Sequence, residues 1–307
     1  MSRENQVKVS ILTTTYNHER YIAHTVESVM EQDTSFAYEH VIGEDCSTDG
    51  TREILLDLAR RYPDKIRLLL RERNIGRRAN FVDTFHACRG QYVAILEGDD
   101  YWSSPHKLQR QVDLLDDHAD YALCFHPVVK LFETEGKETL FVPGQIQDRY
   151  RLVDLLDQNF IATCSVMFRN NLFGDLPGWF WDVPAGDLPL HVLNAQHGDI
   201  GYIDEVMAVH RIHAGGVWSP RPAVERLHDT LIVQEILKEH LGTEYADRLN
   251  TTLATTHLKM IRAYFLDHNW HGMIRHAVHI LLQSGLPPRS LLHGARRALQ
   301  RSRDLDK

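Results

Sequence analysis

The sequence has few cysteines, no long apolar run and no excess of positive charge. Its four cysteines form no Cys-x-x-Cys pair, which argues against a zinc knuckle and against a dithiol redox site. The 34 Lys and Arg residues are outnumbered by 42 Asp and Glu, for a formal net charge of −8, which argues against a protein that wraps nucleic acid through a broad basic face. No segment has the roughly 18 consecutive apolar residues of a membrane span, and the polar N-terminus does not resemble a secretory signal. These absences predict a cytoplasmic protein with reduced cysteines.

The hydrophobic periodicity changes along the 307 residues, a length that suggests about two domains at ~150 residues each. Up to about residue 130, β-type runs alternate with helical-period segments, which predicts an α/β fold with a mostly parallel sheet flanked by helices. The predicted strands are Val7–Thr15, His40–Gly43, Ile66–Leu70, Tyr92–Leu96 and Ala122–Val129, and the predicted helices are Tyr21–Gln32, Thr51–Tyr62 and Lys107–Asp117. Residues 131–222 are mixed in pattern, and residues 223–307 are almost wholly helical. We predict one domain over residues 1–222, divided at residue 130, and a C-terminal helical region over residues 223–307.

Polar residues follow two of the predicted strands, at the edge where ligands bind in an open parallel sheet. Thr13–Asn17 ends the first strand with hydroxyls and an aromatic ring, and a simple capping turn is the competing interpretation. Asp45 follows the second strand, where a carboxylate can accept a hydrogen bond from a nucleobase or a ribose hydroxyl. Asp49 and Thr51, a few residues later, are typical of ordinary turn chemistry.

Three carboxylates lie within four residues in Glu97-Gly98-Asp99-Asp100, directly after another predicted strand. Like charges this close repel each other unless a cation neutralises them. Mg²⁺ and Mn²⁺ bind through carboxylate and phosphate oxygens. We therefore expect a divalent cation at this loop, because its position between an apolar strand and Tyr101-Trp102 disfavours a merely solvated acidic loop.

The order and spacing of these motifs resemble those of family-2 inverting glycosyltransferases with the GT-A fold. The resemblance covers about two thirds of the chain and rests on Val9–Asn17, Glu44–Thr51, Asn74–Gly76 and Glu97–Asp100. It implies that residues 1–130 are the nucleotide-sugar-binding half of the domain and residues 131–222 its acceptor-side half.

The resemblance also implies roles for single residues. It assigns donor binding to Thr14, Tyr16, Asp45, Asn74, Arg78 and Asp99, and metal binding to Asp100 and His213. The first two would contact the nucleoside, Asp45 the base, and Asp99 the ribose or the sugar. Arg78 would face the diphosphate, since a guanidinium suits phosphate oxygens; an exposed arginine at a helix start is an equal alternative. His213 would complete the metal shell or contact the diphosphate, from a loop able to close over the nucleotide.

An inverting transfer needs a general base that takes the proton of the acceptor hydroxyl. The family carries it in an acidic motif at the start of a later helix, and Asp187 in Ala185–Leu190 is the match in this sequence. From the residues alone, Asp187 would be interpreted as a helix N-cap. The resemblance therefore makes Asp187 the catalytic residue.

The chain departs from the family pattern at several positions. Glu44 and Glu97 stand where aspartate is commoner, Cys46 stands where glycine is usual, and Asp187 is a single carboxylate where many relatives have an acidic pair. The carboxylates at the first two positions are retained, so the assignments are kept. The aromatic run Trp179–Trp181 is consistent either with an acceptor platform or with core packing.

Together, these features predict a metal-dependent inverting glycosyltransferase with Mn²⁺ or Mg²⁺ as cofactor. The donor would be a nucleotide diphosphate-sugar, a UDP-sugar by preference, and the acceptor a glycan or lipid-linked glycan of surface polysaccharide or glycoconjugate synthesis. One alternative is a sugar-phosphate nucleotidyltransferase, although Thr13–Asn17 lacks the glycine and lysine of its phosphate loop. The other is a catalytically silent glycan-binding module, against which the intact carboxylates argue.

The C-terminal segment is basic, since residues 271–307 contain seven Lys and Arg against two Asp. Leu291, Leu292, Ala295 and Leu299 offer an apolar stripe in a predicted helix over Leu291–Arg301. Such a segment suits an anionic membrane surface, which would place the protein peripherally at the inner face of the membrane. Docking on the catalytic domain, or a homodimer formed through these helices, is the favoured alternative.

Overall fold

The computed structural model describes residues 7–216, 218 and 221–284. These residues divide into two compact units: the first comprises residues 7–181 and 186–216, and the second comprises residues 182–185, 218 and 221–284. The domain boundary after residue 222 stays a prediction. The predicted helix Leu291–Arg301 lies outside the described residues.

The described residues of the first unit form twelve strands and six helices. The strands are β1 (Val9–Thr15), β2 (Tyr38–Glu44), β3 (Ile66–Leu70), β4 (Tyr92–Ile95), β5 (Tyr101–Trp102), β6 (Tyr121–Phe125), β7 (Val128–Phe132), β8 (Lys137–Phe141), β9 (Arg149–Tyr150), β10 (Met167–Arg169), β11 (Asp199–Tyr202) and β12 (Ala208–Ile212). The helices are α1 (Ile22–Met30), α2 (Thr51–Arg61), α3 (Arg77–Ala87), α4 (Lys107–Asp117), α5 (Leu152–Asp157) and α6 (Asp187–Ala195).

The main sheet has eight strands in the order β3-β2-β1-β4-β10-β6-β11-β9. Strands β3, β2, β1 and β4 are parallel to one another, and β11 is parallel to β6. The short β10 is antiparallel to both β4 and β6. A second sheet has the order β5-β12-β7-β8. The predicted α/β fold, with a mostly parallel sheet flanked by helices, is confirmed.

The prediction of one strand over Ala122–Val129 is wrong. The chain forms β6 and β7 instead, in different sheets, with His126 and Pro127 between them. Proline has no N–H to donate to a sheet ladder, so it interrupts regular pairing. The break lets the chain pass from the main sheet to the smaller one.

The helices α1 and α2 form because their apolar residues recur on one face and pack against the sheet. Ile22 and Val26 of α1 and Leu55 of α2 are fully buried against Ile42 of β2 and its neighbours. Burying each such side chain stabilises the fold by roughly 1.5–3 kcal/mol. This packing fixes the direction of β1 and β2, and with it the positions of the residues that follow these strands.

The second unit is helical over its described residues, with α7 (Ala223–His240), α8 (Ala246–Leu266) and α9 (Trp270–Ser284). Leu231 of α7 packs with Leu253 and Met260 of α8 in a small buried cluster. Within residues 7–216, 218 and 221–284, no helix combines the length and apolar character needed to cross a bilayer.

Candidate active site

The carboxyl ends of three neighbouring parallel strands bring the predicted donor-side motifs together. Strand β1 lies between β2 and β4. The backbone N–H of Asp45, after β2, donates to the carbonyl of Thr15 at 3.1 Å, and the N–H of Gly98, after β4, donates to the carbonyl of Thr14 at 3.1 Å. The chain segments that carry Tyr16, Asp45 and the acidic loop therefore meet at one edge of the sheet.

The Asp45 carboxylate organises the turn that precedes α3. Its two oxygens accept the backbone N–H groups of Ile75 at 2.8 Å and Gly76 at 3.0 Å. The side-chain oxygen of Asn74 also lies 3.0 Å from the Gly76 nitrogen. Gly76 has a φ of +88°, a conformation that glycine adopts without steric cost. Asp45 and Asn74 are thus joined in one turn, and each carboxylate oxygen retains a lone pair for a ligand.

The structure explains the departure at Glu44 but gives no reason for a cysteine at position 46. The Glu44 carboxylate is buried and accepts the Arg52 side chain at 2.5 Å and the Ser47 N–H at 2.6 Å. Cys46 has a φ of +60°, in the left-handed region that favours glycine and costs other residues about 1–2 kcal/mol. Glu44 therefore supports its own loop, while Asp45 holds the turn before α3.

Thr14 and Tyr16 lie on the opposite side of β1 from two buried threonines. The Thr13 hydroxyl lies 2.8 Å from His40, and Thr15 is buried beside the acidic loop. Thr14 is half-buried and the Tyr16 side chain is 42% exposed. Side chains alternate along a strand, so β1 presents Thr14 and Tyr16 where a ligand at the sheet edge can reach them.

The acidic loop from Glu97 to Asp100 is held tightly against β1 and α1. A Cβ atom on Gly98 would lie 2.7 Å from the Thr15 hydroxyl, so only glycine permits this approach. The Thr25 hydroxyl of α1 lies 2.7 Å from the Asp100 carbonyl and 3.1 Å from that of Gly98. These contacts fix the loop backbone, and with it the direction of the carboxylates.

The carboxylates of Glu97, Asp99 and Asp100 approach within 4.8 Å of one another. Burial, followed by the negative charges of Asp99 and Asp187, raises the pKa of Glu97 to about 8. Burial and the other two carboxylates of the loop raise the pKa of Asp100 well above its ordinary value. Asp100 Oδ2 is buried and has no hydrogen-bond partner among the described residues. Oxygen ligands with uncompensated charge suit a hard divalent cation, so these residues fit the expected metal.

Two histidines stabilise the ionised form of Asp99. His213 Nε2 donates to Asp99 Oδ2 at 3.1 Å, and His18 Nε2 lies 3.8 Å from the same oxygen. Burial acts to raise the pKa of Asp99, but the His213 hydrogen bond and the charges of both histidines outweigh it and lower the pKa below its ordinary value. His18 was not singled out from the sequence, although it directly follows Thr13–Asn17.

His210 of β12 and His213, directly after this strand, lie beside different aspartates. His213 is paired with Asp99, whereas His210 Nδ1 lies 3.6 Å from Asp100 Oδ2. The assignment of His213 to the metal shell stays a prediction. His210 is the histidine beside the Asp100 oxygen that lacks a hydrogen-bond partner among the described residues.

Arg211 joins this loop to the acidic loop and was also missed by sequence reasoning. Its backbone N–H donates to Asp100 Oδ1 at 2.8 Å, and its guanidinium donates to the carbonyl of Asp99. The guanidinium also lies 4.4 Å from the centre of the Tyr101 ring. Arg211 therefore positions both aspartates from a part of the chain more than 100 residues away.

Asp187 is the first residue of α6 and is half-buried. Asn159 Nδ2 donates to Asp187 Oδ2 at 2.9 Å, and Asn159 Oδ1 accepts the Ile161 N–H at 3.2 Å. The Asp187 charge contributes to the raised pKa of Glu97, so the two carboxylates lie within electrostatic reach. Asp187 is thus held by a side-chain amide near the acidic loop, and Asn159 is another residue that the sequence did not reveal.

Arg78 and the aromatic run lie on the same side of the unit as Asp187. The Arg78 guanidinium is 5.1 Å from the centre of the Phe180 ring. Burial lowers the pKa of Arg78, while the Asp187 carboxylate acts in the opposite direction. Phe180 is buried, whereas Trp181 is 50% exposed. The run therefore divides between core packing at Phe180 and an exposed ring at Trp181.

Comparison with known proteins gives relatives in sequence and in fold. An uncharacterized protein of Mycobacterium tuberculosis is 42% identical over 214 residues, which cover 68% of this chain and 60% of that relative. The chain thus spans about three fifths of the length of this relative. Poly(ribitol-phosphate) β-N-acetylglucosaminyltransferase TarS of Staphylococcus aureus is 27% identical over 178 residues, 55% of this chain and 29% of TarS.

Two solved structures share the fold. The mannosyltransferase PcManGT from Pyrobaculum calidifontis, in complex with GDP-Man and Mn²⁺, has a TM-score of 0.62 and 17% identity, covering 95% of this chain and 80% of that chain. S. aureus TarS in complex with UDP-GlcNAc has a TM-score of 0.55 and 16% identity, covering 92% of this chain and 93% of that chain. The sequence profile described as Glycosyl transferase family 2 matches residues 10–176. The chain belongs to glycosyltransferase family 2.

Proposed function

We propose that this protein is a metal-dependent inverting glycosyltransferase that moves a sugar from a nucleotide diphosphate-sugar to a hydroxyl acceptor. The observation that carries the proposal is the meeting of Asp45, the Glu97–Asp100 loop and Asp187 on one unit, with Asp100 Oδ2 buried and unpartnered among the described residues. Buried carboxylates of this kind destabilise a fold, and a catalytically silent glycan-binding module would not require them.

For donor binding, we assign the nucleoside to the end of β1 and to Asp45. Thr14 and Tyr16 would contact the nucleoside, and Asp45 would accept an N–H of the base while still holding its own turn. PcManGT was solved with GDP-Man and TarS with UDP-GlcNAc, and both bases carry an N–H that a carboxylate can accept. We favour a UDP-sugar.

The other donor-side residues would contact the sugar and the diphosphate. Asp99, kept ionised by His213 and His18, would accept a hydroxyl of the ribose or the sugar. Arg78 would face the diphosphate, and Asn74 would line the same side of the site from its turn before α3. His213 could reach the diphosphate or the metal only through Nδ1, because Nε2 is engaged with Asp99.

For the metal, the carboxylates of Glu97, Asp99 and Asp100 are the candidate ligands, with Asp100 as the principal one. A bound Mn²⁺ or Mg²⁺ neutralises charge on the departing diphosphate. The protein contributes the fixed direction of these carboxylates, since Arg211 and Thr25 hold the loop backbone and Asp100 Oδ1.

In the transfer, the acceptor oxygen attacks the anomeric carbon from the face opposite the diphosphate. The bond from that carbon to the diphosphate oxygen breaks, and attack from the opposite face inverts the configuration. Asp187 takes the acceptor proton. Asn159 engages Asp187 Oδ2, which leaves Oδ1 to receive the proton. Asn159 is therefore a positioning residue for the base.

The proposal is tested by incubating the protein with a panel of nucleotide diphosphate-sugars and Mn²⁺. We expect one donor to raise the melting temperature, because a ligand that binds only the folded state stabilises it, and to be hydrolysed slowly to the nucleoside diphosphate. A sugar-phosphate nucleotidyltransferase would instead release pyrophosphate from a nucleoside triphosphate. Pyrophosphate release, or stabilisation without any donor cleavage, would contradict glycosyl transfer.

For the acceptor, we propose a glycan or lipid-linked glycan of surface polysaccharide or glycoconjugate synthesis, in the cytoplasm. The name of the relative TarS, poly(ribitol-phosphate) β-N-acetylglucosaminyltransferase, supports a polymeric acceptor.

For the C-terminal helices, we propose that they pair two copies of the chain. Trp270, Ile274 and Val278 follow each other at four-residue spacing on α9 and are 52%, 56% and 45% exposed. A monomer in sedimentation that binds anionic liposomes at low salt would favour the membrane instead.

A further inference from the structure

A second group of possible metal ligands shares Asp100 with the acidic loop. Asp100 Oδ2, Cys164 Sγ and His210 Nδ1 all lie within 4.8 Å of one another. Cys164 comes from a short 3₁₀ turn, Thr163–Ser165, just before β10, and His210 comes from β12. The group therefore draws one oxygen, one sulfur and one nitrogen ligand from three separate parts of the first unit.

The geometry suits a small tetrahedral ion. Bonds of ~2.0–2.3 Å to oxygen, nitrogen and sulfur imply separations of about 3.3–3.6 Å between the ligand atoms of a tetrahedral site. Asp100 Oδ2 and His210 Nδ1 are already 3.6 Å apart. The thiol lies within 4.8 Å of both, so a shift on the order of 1 Å would complete three ligands of such a site.

The unpartnered oxygen of Asp100 points to a ligand at this position. Asp100 is 1% exposed, and its Oδ2 atom accepts no N–H or O–H group among the described residues; the Cys164 thiol beside the carboxylate is only a weak donor. A buried carboxylate oxygen without a partner carries a large desolvation penalty. The other oxygen is oriented by the Arg211 N–H, in the manner of an outer-shell contact that holds a metal ligand in place.

The two groups of ligands differ in the metal ion that they prefer. Glu97, Asp99 and Asp100 offer only carboxylate oxygens, which suit Mg²⁺ and Mn²⁺. Cys164 and His210 add sulfur and imidazole nitrogen, which favour Zn²⁺ and Co²⁺. An ion held by Cys164 and His210 would take the same Asp100 oxygen that the hard cation needs.

We propose that Asp100, Cys164 and His210 form a site for a borderline-soft divalent ion such as Zn²⁺, which competes with Mg²⁺ or Mn²⁺ for Asp100. On binding, the Cys164 thiol gives its proton to solvent and the thiolate becomes the metal ligand. The competition rests on the proposed function, whereas the binding of the ion does not. Zn²⁺ is therefore expected to inhibit the Mg²⁺-dependent enzyme.

The site is tested by titrating the full-length protein with Co²⁺, because a cobalt–thiolate bond gives a charge-transfer absorption band that oxygen ligands do not. We expect this band at one ion per chain in the wild type and in Cys124→Ala, which removes another buried cysteine, and in Cys46→Ala, which removes the most exposed one. We expect it to be absent in Cys164→Ala, with Zn²⁺ affinity at least about tenfold weaker in a competition titration. If Cys164→Ala does not fold, Cys164→Ser replaces it with nearly the same volume.

Two outcomes would overturn the site: no thiolate band in the wild type, or a band that persists when Cys164 is replaced. The inhibition of turnover by Zn²⁺ is a separate measurement. If the band follows Cys164 but Zn²⁺ leaves Mg²⁺-dependent turnover unchanged, the site stands and the competition for Asp100 is wrong. If no donor is turned over at all, the cobalt band still decides the site.

Discussion

The two sides of the candidate active site differ in how far the protein satisfies its own charges. On the proposed nucleoside side, Asp45 has two backbone N–H partners, and its loop is complete without a ligand. On the proposed diphosphate side, Asp100 keeps a buried, unpartnered oxygen among the described residues, and the pKa of Glu97 is raised to about 8. The first side is preorganised by hydrogen bonds, whereas the second needs an added cation to be balanced. Substitutions on the two sides should therefore change donor binding and turnover in different ways.

The largest effect is expected from Asp100→Asn, which removes the principal metal ligand. We expect turnover to fall by about 10³-fold, because a metal that stabilises the transition state contributes several kcal/mol. The metal-free variant should melt no lower than the wild type, since a repelling buried charge has been removed. Steady-state kinetics with and without EDTA, together with thermal melts, measure both.

Asp117→Asn is the matched control, because Asp117 is exposed at the end of α4 and should leave activity and EDTA sensitivity unchanged. Full wild-type activity in EDTA would remove the metal from the mechanism and with it the contrast between the two sides.

Asp187→Asn should lower turnover by about 10²-fold or more, the contribution of a positioned general base. Donor affinity should stay the same, because Asp187 is assigned to the acceptor proton. Asn159 can still bond to an amide oxygen at this position, so the fold should be kept. Single-turnover rates and donor titrations separate the two quantities.

Glu205→Gln serves as the control for the base, since Glu205 is an acidic residue paired with Arg110 at 3.3 Å. It should leave turnover near the wild-type value. If Glu205→Gln is the slow variant and Asp187→Asn is not, the base has been assigned to the wrong carboxylate.

Asp45→Asn should raise the donor KM by about tenfold with little change in kcat, which corresponds to ~1.4 kcal/mol of binding. An asparagine offers one acceptor oxygen, so it cannot hold Ile75, Gly76 and a base together. The effect should not depend on the metal concentration, unlike that of Asp100→Asn. Asp57→Asn, at an exposed position of α2, is the control, and a KM that changes only with metal would refute the separation of the two sides.

The residues that sequence could predict are those in contiguous motifs at strand ends. Strand β1 and the loops after β2 and β4 each combine a recognisable strand with polar residues directly behind it, so Asp45 and Glu97–Asp100 were found. The antiparallel β10 is only three residues long, too short for an alternation pattern to give its direction. Sequence alone could therefore predict the parallel half of the sheet but not its antiparallel insertion.

The residues that sequence missed act across long separations. Asn159 contacts Asp187 from 28 residues away, and Arg211 contacts Asp100 from 111 residues away. No local pattern marks such a partner, because the tertiary fold alone brings the two segments together. His18 and His210 were not predicted as site residues for another reason: the chain has 19 histidines, so the presence of any single one does not indicate a site.

The smallest expected effect is a pH dependence of stability in the metal-free protein. The pKa of Glu97 rises from its ordinary 4.5 to about 8 on folding, so the stability linked to its protonated form is fully present below about pH 4.5 and is lost as the pH rises through 8. Buried His40 and His126 have pKa values lowered to about 3, and they reduce stability only when the pH falls below their ordinary value of 6.5. Buried Lys107 has a pKa lowered to about 7, so it adds stability as the pH rises above 7 and opposes the Glu97 effect. The Glu97 contribution is therefore the difference in pH dependence between the wild type and Glu97→Gln.

Between pH 6.5 and 8, the melting temperature of the wild type in EDTA should fall by about 2–4 °C relative to that of Glu97→Gln, which cannot ionise; this corresponds to ~1 kcal/mol for a protein of this size class. The difference should be smaller with saturating Mn²⁺, because the cation offsets the carboxylate charge. Equal pH dependence in the wild type and in Glu97→Gln would show that the unbalanced charge lies elsewhere than in the acidic loop.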